Sequence, residues 1–472
     1  MTRTKLSRRD FLHTLAAGIG TFSVGPVIRS GLAAGQRSER PNILFLFTDD
    51  QRWDAMGCAG NPIVRTPEMD RLAAEGVRFE YAFVTTPICA ASRASVFTGM
   101  YERTHGNTFG TPPLAKPYID LSYPVRLREA GYRTGFVGKF GVEVAEGSQD
   151  RMFDWYRPMF RTPYFKTING KERHLTDIIA DEAIQFITDS AGQQPFCLSV
   201  SYNAPHAEDN DPRQYIPPRE CENLYEDVVV PEPVTGSDEF FESQPLYLKQ
   251  SLNRIRWYWK FGTPAKYQEM VKDYYRMVSG IDRTIGRIRE ALQRAGVAEN
   301  TVIILMGDNG YFLGERGFAG KWYMYDLSIQ VPLIVYDPRI ANSQRGRVSD
   351  DFALNIDLSP TMLDLAGVHI PGAVQGRSLM PLITGEPGDW REFVFCEHLF
   401  ERYDIPQSEG IRTDRWKYLR YRNQVNSEEL YDLYVDPHET ENLAWRDEYQ
   451  EVLVELRRQC DEMIERLEKE KL

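Results

Sequence analysis

A strand that is buried on both faces is predicted for Asn42-Ile43-Leu44-Phe45-Leu46-Phe47, which runs directly into Thr48-Asp49-Asp50. Such a short run, apolar at successive positions, is typical of the central strands of a parallel sheet. A second run, Thr301-Val302-Ile303-Ile304-Leu305-Met306, ends in the same way, at Gly307-Asp308-Asn309-Gly310. We therefore predict two buried strands that both carry polar side chains at their carboxyl ends.

Further apolar runs and helical patterns alternate along the chain. Residues 134–137 run into Gly138-Lys139, residues 196–200 run toward His206, and residues 331–335 form another run. Helical spacing is present at Pro67–Glu75 and over residues 267–292. This alternation predicts an α/β fold with a large, mostly parallel sheet sandwiched by helices. Ligands bind beyond the carboxyl ends of such strands, so the polar residues there are expected to converge.

The pattern changes after about Gly385. Residues 393–396, 410–413 and 416–421 read as short antiparallel strands, and residues 448–472 read as a closing amphipathic helix. We therefore expect a main domain over residues 41–385 and a smaller α+β C-terminal subdomain over residues 386–472, with a short antiparallel sheet. Residues 205–265 lack clear periodicity and are expected to form long surface excursions near the site.

The N-terminal residues 1–34 have the composition of a cleavable signal. Ser7-Arg8-Arg9-Asp10-Phe11-Leu12 precedes a weakly apolar run and small residues, and it resembles a twin-arginine export signal. The alternative is the basic start of a membrane anchor, but the run is short for a bilayer and rich in Gly and Ser. We expect recognition by the twin-arginine translocase, a periplasmic or extracellular location and no stable membrane insertion.

Composition excludes some classes of partner. The 472 residues are 42% hydrophobic and 26% charged, an ordinary globular balance. The formal net charge of −12 argues against a nucleic-acid partner. The same charge repels anionic substrates at long range, so any anion site must be a local basic pocket.

Four oxygen-bearing side chains, Asp49, Asp50, Asp308 and Asn309, follow the two central strands. Calcium prefers six to eight oxygen ligands of this kind. Each pair alone is more often a turn or a helix cap, and only their joint position favours a metal site. The seven histidines show no H-x-x-x-H spacing, so one hard ion is favoured over a dinuclear zinc site.

A helix is predicted to start near Cys89, because Pro87 suits an extended approach and small residues follow the cysteine. The N-terminus of a helix favours an anion, and Arg93 would lie one turn further on the same face. The alternative is a buried structural cysteine beside a surface arginine, and residue types alone favour that alternative.

Cys89-Ala90-Ala91-Ser92-Arg93, with Thr98-Gly99 downstream, resembles the sulfatase signature C-x-[P/A]-x-R followed by T-G. Other landmarks of that family occur in the same order along nearly the whole chain after the signal. They are found at residues 41–51, 66–79, 131–139, 195–206, 302–317, 320–335, 354–382 and 429–444.

The resemblance implies an alkaline-phosphatase-like fold and a formylglycine-dependent type I sulfatase, with residues 41–385 as the catalytic domain. A maturation enzyme would convert Cys89 to formylglycine, whose hydrated form attacks the sulfur atom. The implied calcium ligands are Asp49, Asp50, Asp308, Asn309 and the modified Cys89. Arg93 would stabilise the hydrated aldehyde, and the sulfate would be held by Lys139, His206 and Lys321, with His206 as the acid for the leaving alcohol.

Two positions depart from the family pattern. The family often has a histidine two residues after the lysine of its G-K-W-H motif, where this chain has Gly141. His105 is a possible substitute, although a lone loop histidine is more often a surface residue. Ala91 replaces the commoner proline of the signature, which leaves open which maturation enzyme acts.

Two other functions compete with a sulfatase. One is a phosphonate or phosphate ester hydrolase of the same superfamily, and the other is an unmodified, inactive homologue that binds carbohydrate. The signature at residues 429–444 favours a sulfatase, and the retained Cys89 argues against an inactive protein. The preferred substrate is a sulfated polysaccharide fragment. The aromatic residues of 247–261 suit sugar stacking, or equally a helix that packs on the domain.

Overall fold

The computed structural model describes residues 40–472. The two apolar runs at residues 42–47 and 301–306, which polar residues follow, form neighbouring strands at the centre of an eight-stranded sheet. The strands of the protein are β1 (Asn42–Asp49), β2 (Val77–Phe79), β3 (Ala82–Phe83), β4 (Arg133–Gly138), β5 (Trp155–Pro158), β6 (Phe165–Ile168), β7 (Lys171–His174), β8 (Phe196–Pro205), β9 (Thr301–Gly307), β10 (Phe312–Leu313), β11 (Ala319–Gly320), β12 (Leu333–Tyr336), β13 (Arg347–Ser349), β14 (Ala353–Leu354), β15 (Phe393–His398), β16 (Ser408–Thr413), β17 (Trp416–Tyr421) and β18 (Glu428–Asp432).

The helices are α1 (Pro67–Glu75), α2 (Cys89–Thr98), α3 (Glu102–His105), α4 (Lys116–Leu121), α5 (Tyr123–Glu129), α6 (Ser148–Met152), α7 (Leu175–Ser190), α8 (Asp238–Ser243), α9 (Leu246–Lys249), α10 (Leu252–Lys260), α11 (Pro264–Arg294), α12 (Asp326–Ile329), α13 (Leu358–Leu365), α14 (Met380–Thr384) and α15 (Gln450–Lys469). The alternation of strands and helices confirms the predicted α/β class.

The main sheet has the order β13-β2-β12-β9-β1-β8-β4-β5. Strand β1 pairs in parallel with β9 on one side and β8 on the other, and Thr48 is level with Gly307. Strand β12 runs antiparallel to β9, because the connection between them stays at one end of the sheet instead of crossing a face as a helix. The sheet is thus mostly parallel, as predicted, with one reversed strand.

Strand β1 is apolar throughout because it contributes to two separate cores. Leu44 and Leu46 pack with apolar residues of α1, α7 and α11 on one face of the sheet. Ile43, Phe45 and Phe47 pack with residues of α2, α5 and α13 on the other face. Successive side chains of a strand point to opposite faces, so a central strand covered on both sides requires apolar residues at every position.

The C-terminal part carries the predicted antiparallel sheet, in the order β15-β16-β17-β18, and the closing helix α15. Strand β18 was not predicted. Apolar residues of this sheet, such as Val394 and Tyr418, belong to the same core as α2. Residues 40–472 form one compact unit, and the domain boundary at residue 385 stays a prediction.

Two other expectations concern the N-terminal signal and the long segment at residues 205–265. The signal predicted for residues 1–34 lies outside the described residues, and among residues 40–472 no helix has the length and apolarity needed to cross a membrane. The segment at 205–265 contains the short helices α8, α9 and α10 rather than only irregular excursions. The aromatic segment is therefore partly helical, as its alternative interpretation held.

Leu46→Ala is expected to lower the free energy of unfolding by about 2–5 kcal/mol, because a fully buried side chain of the central strand leaves a cavity. The matched control is Val348→Ala on the edge strand β13, where the side chain is 54% exposed. The measurement is chemical denaturation of both variants. Equal destabilisation by the two substitutions would contradict the central position of β1.

Candidate active site

The ends of β1 and β9 bring four polar side chains together, as the sequence predicted. The backbone amide of Asp50 donates to Oδ1 of Asp308 at 3.0 Å, and Asn309 Nδ2 donates to Oδ1 of Asp50 at 2.7 Å. All four residues, including Asp49, are buried. Asp50 has a φ of 65°, a left-handed conformation that is uncommon for a non-glycine residue and that recurs at functional sites.

Lys139 reaches this group from the end of β4. Its ammonium donates to Oδ2 of Asp49 at 2.5 Å. The preceding Gly138 has a φ of 102°, and a Cβ atom there would lie 1.9 Å from the carbonyl oxygen of Ser201 on β8. Only glycine allows β4 to lie so close to β8 at the point where the chain turns toward the site.

Lys321 reaches the group from a different element and directly follows the short strand β11. It is buried and forms an ion pair with Asp50. Its backbone carbonyl accepts a hydrogen bond from Asn253 of α10 at 2.8 Å. Burial would lower the pKa of Lys321, but the charge of Asp50 outweighs burial and raises it, so the lysine is charged.

Cys89 is the first residue of α2, and the preceding Ile88 is extended with a φ of −143°. The cysteine therefore lies where the free N–H groups of the first helical turn are directed. Every residue of α2 is buried, including Arg93. The alternative of a surface arginine is thus wrong, because Arg93 is only 1% exposed.

Arg93 connects α2 to strand β8 and to the residues that directly follow β4 and β9. Its Nε donates to Asp308 Oδ2 at 2.9 Å, and its Nη1 donates to the Lys139 carbonyl at 2.8 Å and to Ser201 Oγ at 2.6 Å. The guanidinium also lies over the ring of Phe47, 4.7 Å from its centroid. These contacts hold the guanidinium in one orientation, one turn away from Cys89.

His206 follows β8, and its Nε2 lies 3.6 Å from Oδ2 of Asp50. The other ring nitrogen, Nδ1, is 2.7 Å from the carbonyl oxygen of Ala207, which can only accept. The neutral ring therefore carries its proton on Nδ1 and a lone pair on Nε2. Burial and the charge of Arg161 lower the pKa of His206 well below its usual value, against the opposing charge of Asp49. To act as an acid, His206 must first take up a second proton.

The pKa values of the buried carboxylates Asp49 and Asp308 are shifted in opposite directions. Burial alone would raise the pKa of Asp49, but the cations around it, Lys139 first, outweigh burial and hold its pKa well below its usual range. Burial and the charge of Asp49 raise the pKa of Asp308. Crowded carboxylates of this kind are stabilised by positive charge placed between them.

Several oxygen atoms at the site suit a hard cation. Asp49 Oδ1, Asp50 Oδ2 and Asn309 Oδ1 are buried and have no hydrogen-bond partner among residues 40–472. Ligand atoms of Asp49, Asp50 and His206 also lie within 4.8 Å of one another. Unpaired carboxylate and amide oxygens are the donors that calcium prefers, so the residues present fit such an ion.

Gly141, where the resemblance led us to expect a histidine, lies against the side chain of Arg93. A Cβ atom at Gly141 would lie 2.9 Å from Cδ of Arg93, and its φ is 70°. His105 does not take over this place, because both its ring nitrogens are used elsewhere. Its Nε2 is 3.0 Å from Ser95 Oγ, and its Nδ1 accepts from the Asn107 amide at 3.1 Å.

The sequence did not identify the residues that hold the segment after β8, His206 and Ala207, which we call the His206 loop. Tyr164 OH donates to the His206 carbonyl at 2.6 Å, and Arg161 Nε donates to the Ala207 carbonyl at 3.0 Å. Neither residue stands in a motif or after a central strand. They come to the site only because the chain after β5 folds over the end of β8.

Comparison with known proteins places this arrangement among sulfatases. The sequence matches the family model for Sulfatase over residues 41–368 and the model for the N-sulphoglucosamine sulphohydrolase C-terminal region over residues 314–466. It is 29% identical to an N-acetylglucosamine-6-O-sulfatase of Bacteroides thetaiotaomicron, over 90% of this chain and 87% of that protein.

Solved structures with the same fold include enzymes of two activities. One, in complex with its substrate D-glucosamine-2-N,6-O-disulfate, has a TM-score of 0.75 and 27% identity, with 91% of this chain and 99% of that chain covered. The other is a phosphonate monoester hydrolase from Silicibacter pomeroyi, with a TM-score of 0.77, 23% identity and coverage of 90% and 95%. The second shows a likeness of fold alone.

Calcium is expected to raise the melting temperature, because an ion bound only by the native state stabilises it, by about 2.7 kcal/mol at a hundred times its dissociation constant. The double variant Asp49→Asn, Asp50→Asn should lose this response. The matched control is Glu226→Gln, Asp227→Asn, an adjacent acidic pair on the exposed surface. The measurement is thermal unfolding after chelation and metal add-back. A response to zinc but not calcium, or an undiminished response of the first variant, would contradict the site.

Proposed function

Because this chain belongs to the sulfatase family and is a sulfuric ester hydrolase, we propose that it removes sulfate from a sulfated sugar, with Cys89 converted to formylglycine. The observation that carries the proposal is the position of Cys89. It starts a buried helix, and Arg93 one turn later is bound to the carboxylate that ends β9.

Sulfated amino sugars are the proposed class of substrate. The relative from Bacteroides thetaiotaomicron is an N-acetylglucosamine-6-O-sulfatase, and a goat relative with 25% identity is an N-acetylglucosamine-6-sulfatase. The solved structure at 27% identity holds a disulfated glucosamine as its substrate. These names support a glucosamine sulfate as the first substrate to test.

The proposed cofactors are one calcium ion and the modified Cys89. Asp49, Asp50, Asp308 and Asn309 would hold the ion, together with the side chain at position 89. When bound, the calcium ion and the hydrated aldehyde supply charge neutralisation and a hydroxyl nucleophile. The unpaired oxygens of Asp49, Asp50 and Asn309 support this assignment.

The protein's own cations would bind and orient the sulfate group. Lys139 pairs with Asp49 and Lys321 pairs with Asp50, while Arg93 extends from α2 to Asp308. Fixed positive charge in a buried site stabilises the negative charge that develops as the S–O bond breaks, and it needs little reorganisation. Arg93 would also orient the group at position 89, because its own orientation is set by three hydrogen-bonded partners.

Maturation and export complete the proposal. A formylglycine-generating enzyme would act on Cys89, and the twin-arginine translocase would recognise the pattern around Arg8 and Arg9. The enzyme would then act in the periplasm or outside the cell. Intact mass and the N-terminus of the exported protein test both steps.

Cys89→Ala is expected to abolish turnover and to leave the melting temperature within a few degrees of wild type. In active protein, intact mass should show that the sulfur at position 89 is replaced by oxygen with loss of two hydrogens. The control is Cys58→Ala, a half-buried cysteine away from the site, which should keep activity. Full activity of Cys89→Ala would overturn the covalent mechanism.

The ester class is tested with paired substrates. We expect turnover of N-acetylglucosamine 6-sulfate and of nitrophenyl sulfate, with slower turnover of nitrophenyl phosphate and phosphonate monoesters. A preference for the phosphonate would favour the activity of the structural relative from Silicibacter pomeroyi. If the protein hydrolyses aryl sulfate but no sugar sulfate, the proposed sugar substrate is wrong, while the sulfatase activity stands.

His206 and Lys139 are expected to differ in their dependence on the leaving group. If His206 protonates the leaving oxygen, His206→Ala should lower kcat/KM by about a hundredfold or more on a sugar sulfate and visibly less on nitrophenyl sulfate, whose leaving group hardly needs a proton. Lys139→Ala removes a charge that both substrates meet, so its penalty should be similar for both. Equal penalties for His206→Ala on both substrates would mean that His206 only binds sulfate.

A further inference from the structure

A second cationic cluster, separate from the proposed calcium ligands, lies around Asp209. Arg161 Nη2 and Arg256 Nη2 lie 3.3 Å and 3.5 Å from Oδ2 of this carboxylate, and Lys260 Nζ lies 3.7 Å from Oδ1. We call Arg161, Asp209, Arg256 and Lys260 the Asp209 cluster. Burial lowers the pKa of Lys260 to about 7, but the two guanidinium groups alone already carry more charge than the one carboxylate, so the positive charge is not balanced within the cluster.

Several polar atoms in and beside the Asp209 cluster lack partners. The side chain of Lys260 is 0% exposed, and its Nζ has no hydrogen-bond partner among residues 40–472. The same holds for Asp209 Oδ1 and Arg256 Nε, and the hydroxyl groups of Tyr215 and Tyr311 face each other beside the cluster. The rings of these two tyrosines lie 5.1 Å and 5.8 Å from Lys260 Nζ. Buried charges are costly without partners, so the unpaired atoms indicate that further polar groups belong there.

The Asp209 cluster borders the active site on two sides. Arg161 Nε donates to the Ala207 carbonyl, the same oxygen that accepts from His206 Nδ1. Arg256 lies over the ring of Trp322, 5.0 Å from its centroid, and Trp322 directly follows Lys321. The Trp322 amide donates to the Pro87 carbonyl at 3.1 Å, two residues before Cys89.

The cluster is also reachable from solvent. The side chains of Arg161, Asp209 and Arg256 are 28%, 24% and 15% exposed, while Lys260 lies beneath them. Arg161 and Arg256 can therefore contact a bound molecule directly, and Lys260 can add charge from below. Planar guanidinium groups match the geometry of sulfate and carboxylate oxygens.

We propose that the Asp209 cluster binds a second anionic group of the substrate, a sulfate on the sugar whose ester is hydrolysed or a carboxylate on the sugar linked to it. This inference rests on the proposed function. It narrows the proposed substrates to sulfated sugars that carry at least two negative charges. Arg256 would be a specificity-determining residue, and Arg161 would both bind the anion and hold the His206 loop. The net charge of −12 repels such molecules at long range, so local cations are required for their binding.

The test measures inhibition constants against turnover of nitrophenyl sulfate. The inhibitors are N-acetylglucosamine 6-sulfate, glucosamine-2-N,6-O-disulfate and a disaccharide of glucuronic acid and N-acetylglucosamine 6-sulfate. Wild type should bind at least one dianion about tenfold or more tightly than the monoanion, and the comparison of the two dianions identifies sulfate or carboxylate. Arg256→Gln should abolish this preference, and Lys260→Met should reduce it.

The control is Arg294→Gln, the same change at an arginine of α11 that is 66% exposed, and it should keep the wild-type preference. Equal inhibition constants in wild type, or an unchanged preference in Arg256→Gln, would overturn the inference and mean that the cluster only holds loops together. Failure of the proposed sulfatase function can be told apart from failure of this inference. If a nitrophenyl phosphonate is the faster substrate, the sulfatase activity fails, and the same inhibition constants measured against that substrate still test the cluster.

Discussion

Three buried carboxylates at the ends of two adjacent strands require compensating positive charge, and the rest of the site depends on this requirement. Asp49, Asp50 and Asp308 are brought together by the parallel pairing of β1 with β9. Burial of like charges is unfavourable unless cations or hydrogen-bond donors lie between them. The chain supplies Lys139, Lys321 and Arg93 from three different elements, and unpaired oxygens remain for a metal ion.

This requirement explains how the surrounding structure is built. Glycine at position 138 lets β4 lie close enough to β8 to deliver Lys139. Arg93 must cross from α2 to β9, and the space for its side chain is kept by a glycine at position 141, where many sulfatases have a histidine. A side chain at position 141 would therefore collide with Arg93 in its present position.

The fold of this protein does not by itself determine its activity. The phosphonate monoester hydrolase has a similar TM-score to the structure that holds D-glucosamine-2-N,6-O-disulfate as its substrate, so the fold by itself does not identify the substrate. The family assignment comes from the sequence match over most of the chain. For substrate choice we propose a contribution from side chains that the family motifs do not include, and the Asp209 cluster is such a group.

The sequence by itself determined the α/β class, the long helix α11, the central strands and the placement of polar residues at their carboxyl ends. These features follow from local periodicity, which burial on one or both faces imposes directly on the residues. It could not predict the reversed direction of β12 or the strand β18, because short segments with mixed composition take their structure from the surfaces they pack against. Only the tertiary structure decided that Arg93 is buried, that His105 is bound to Ser95 and that Arg161 meets Arg256 and Lys260 around Asp209. Most of those contacts join residues far apart in the chain, such as Arg93 and Asp308, and no periodicity or spacing predicts which distant side chains will lie in contact.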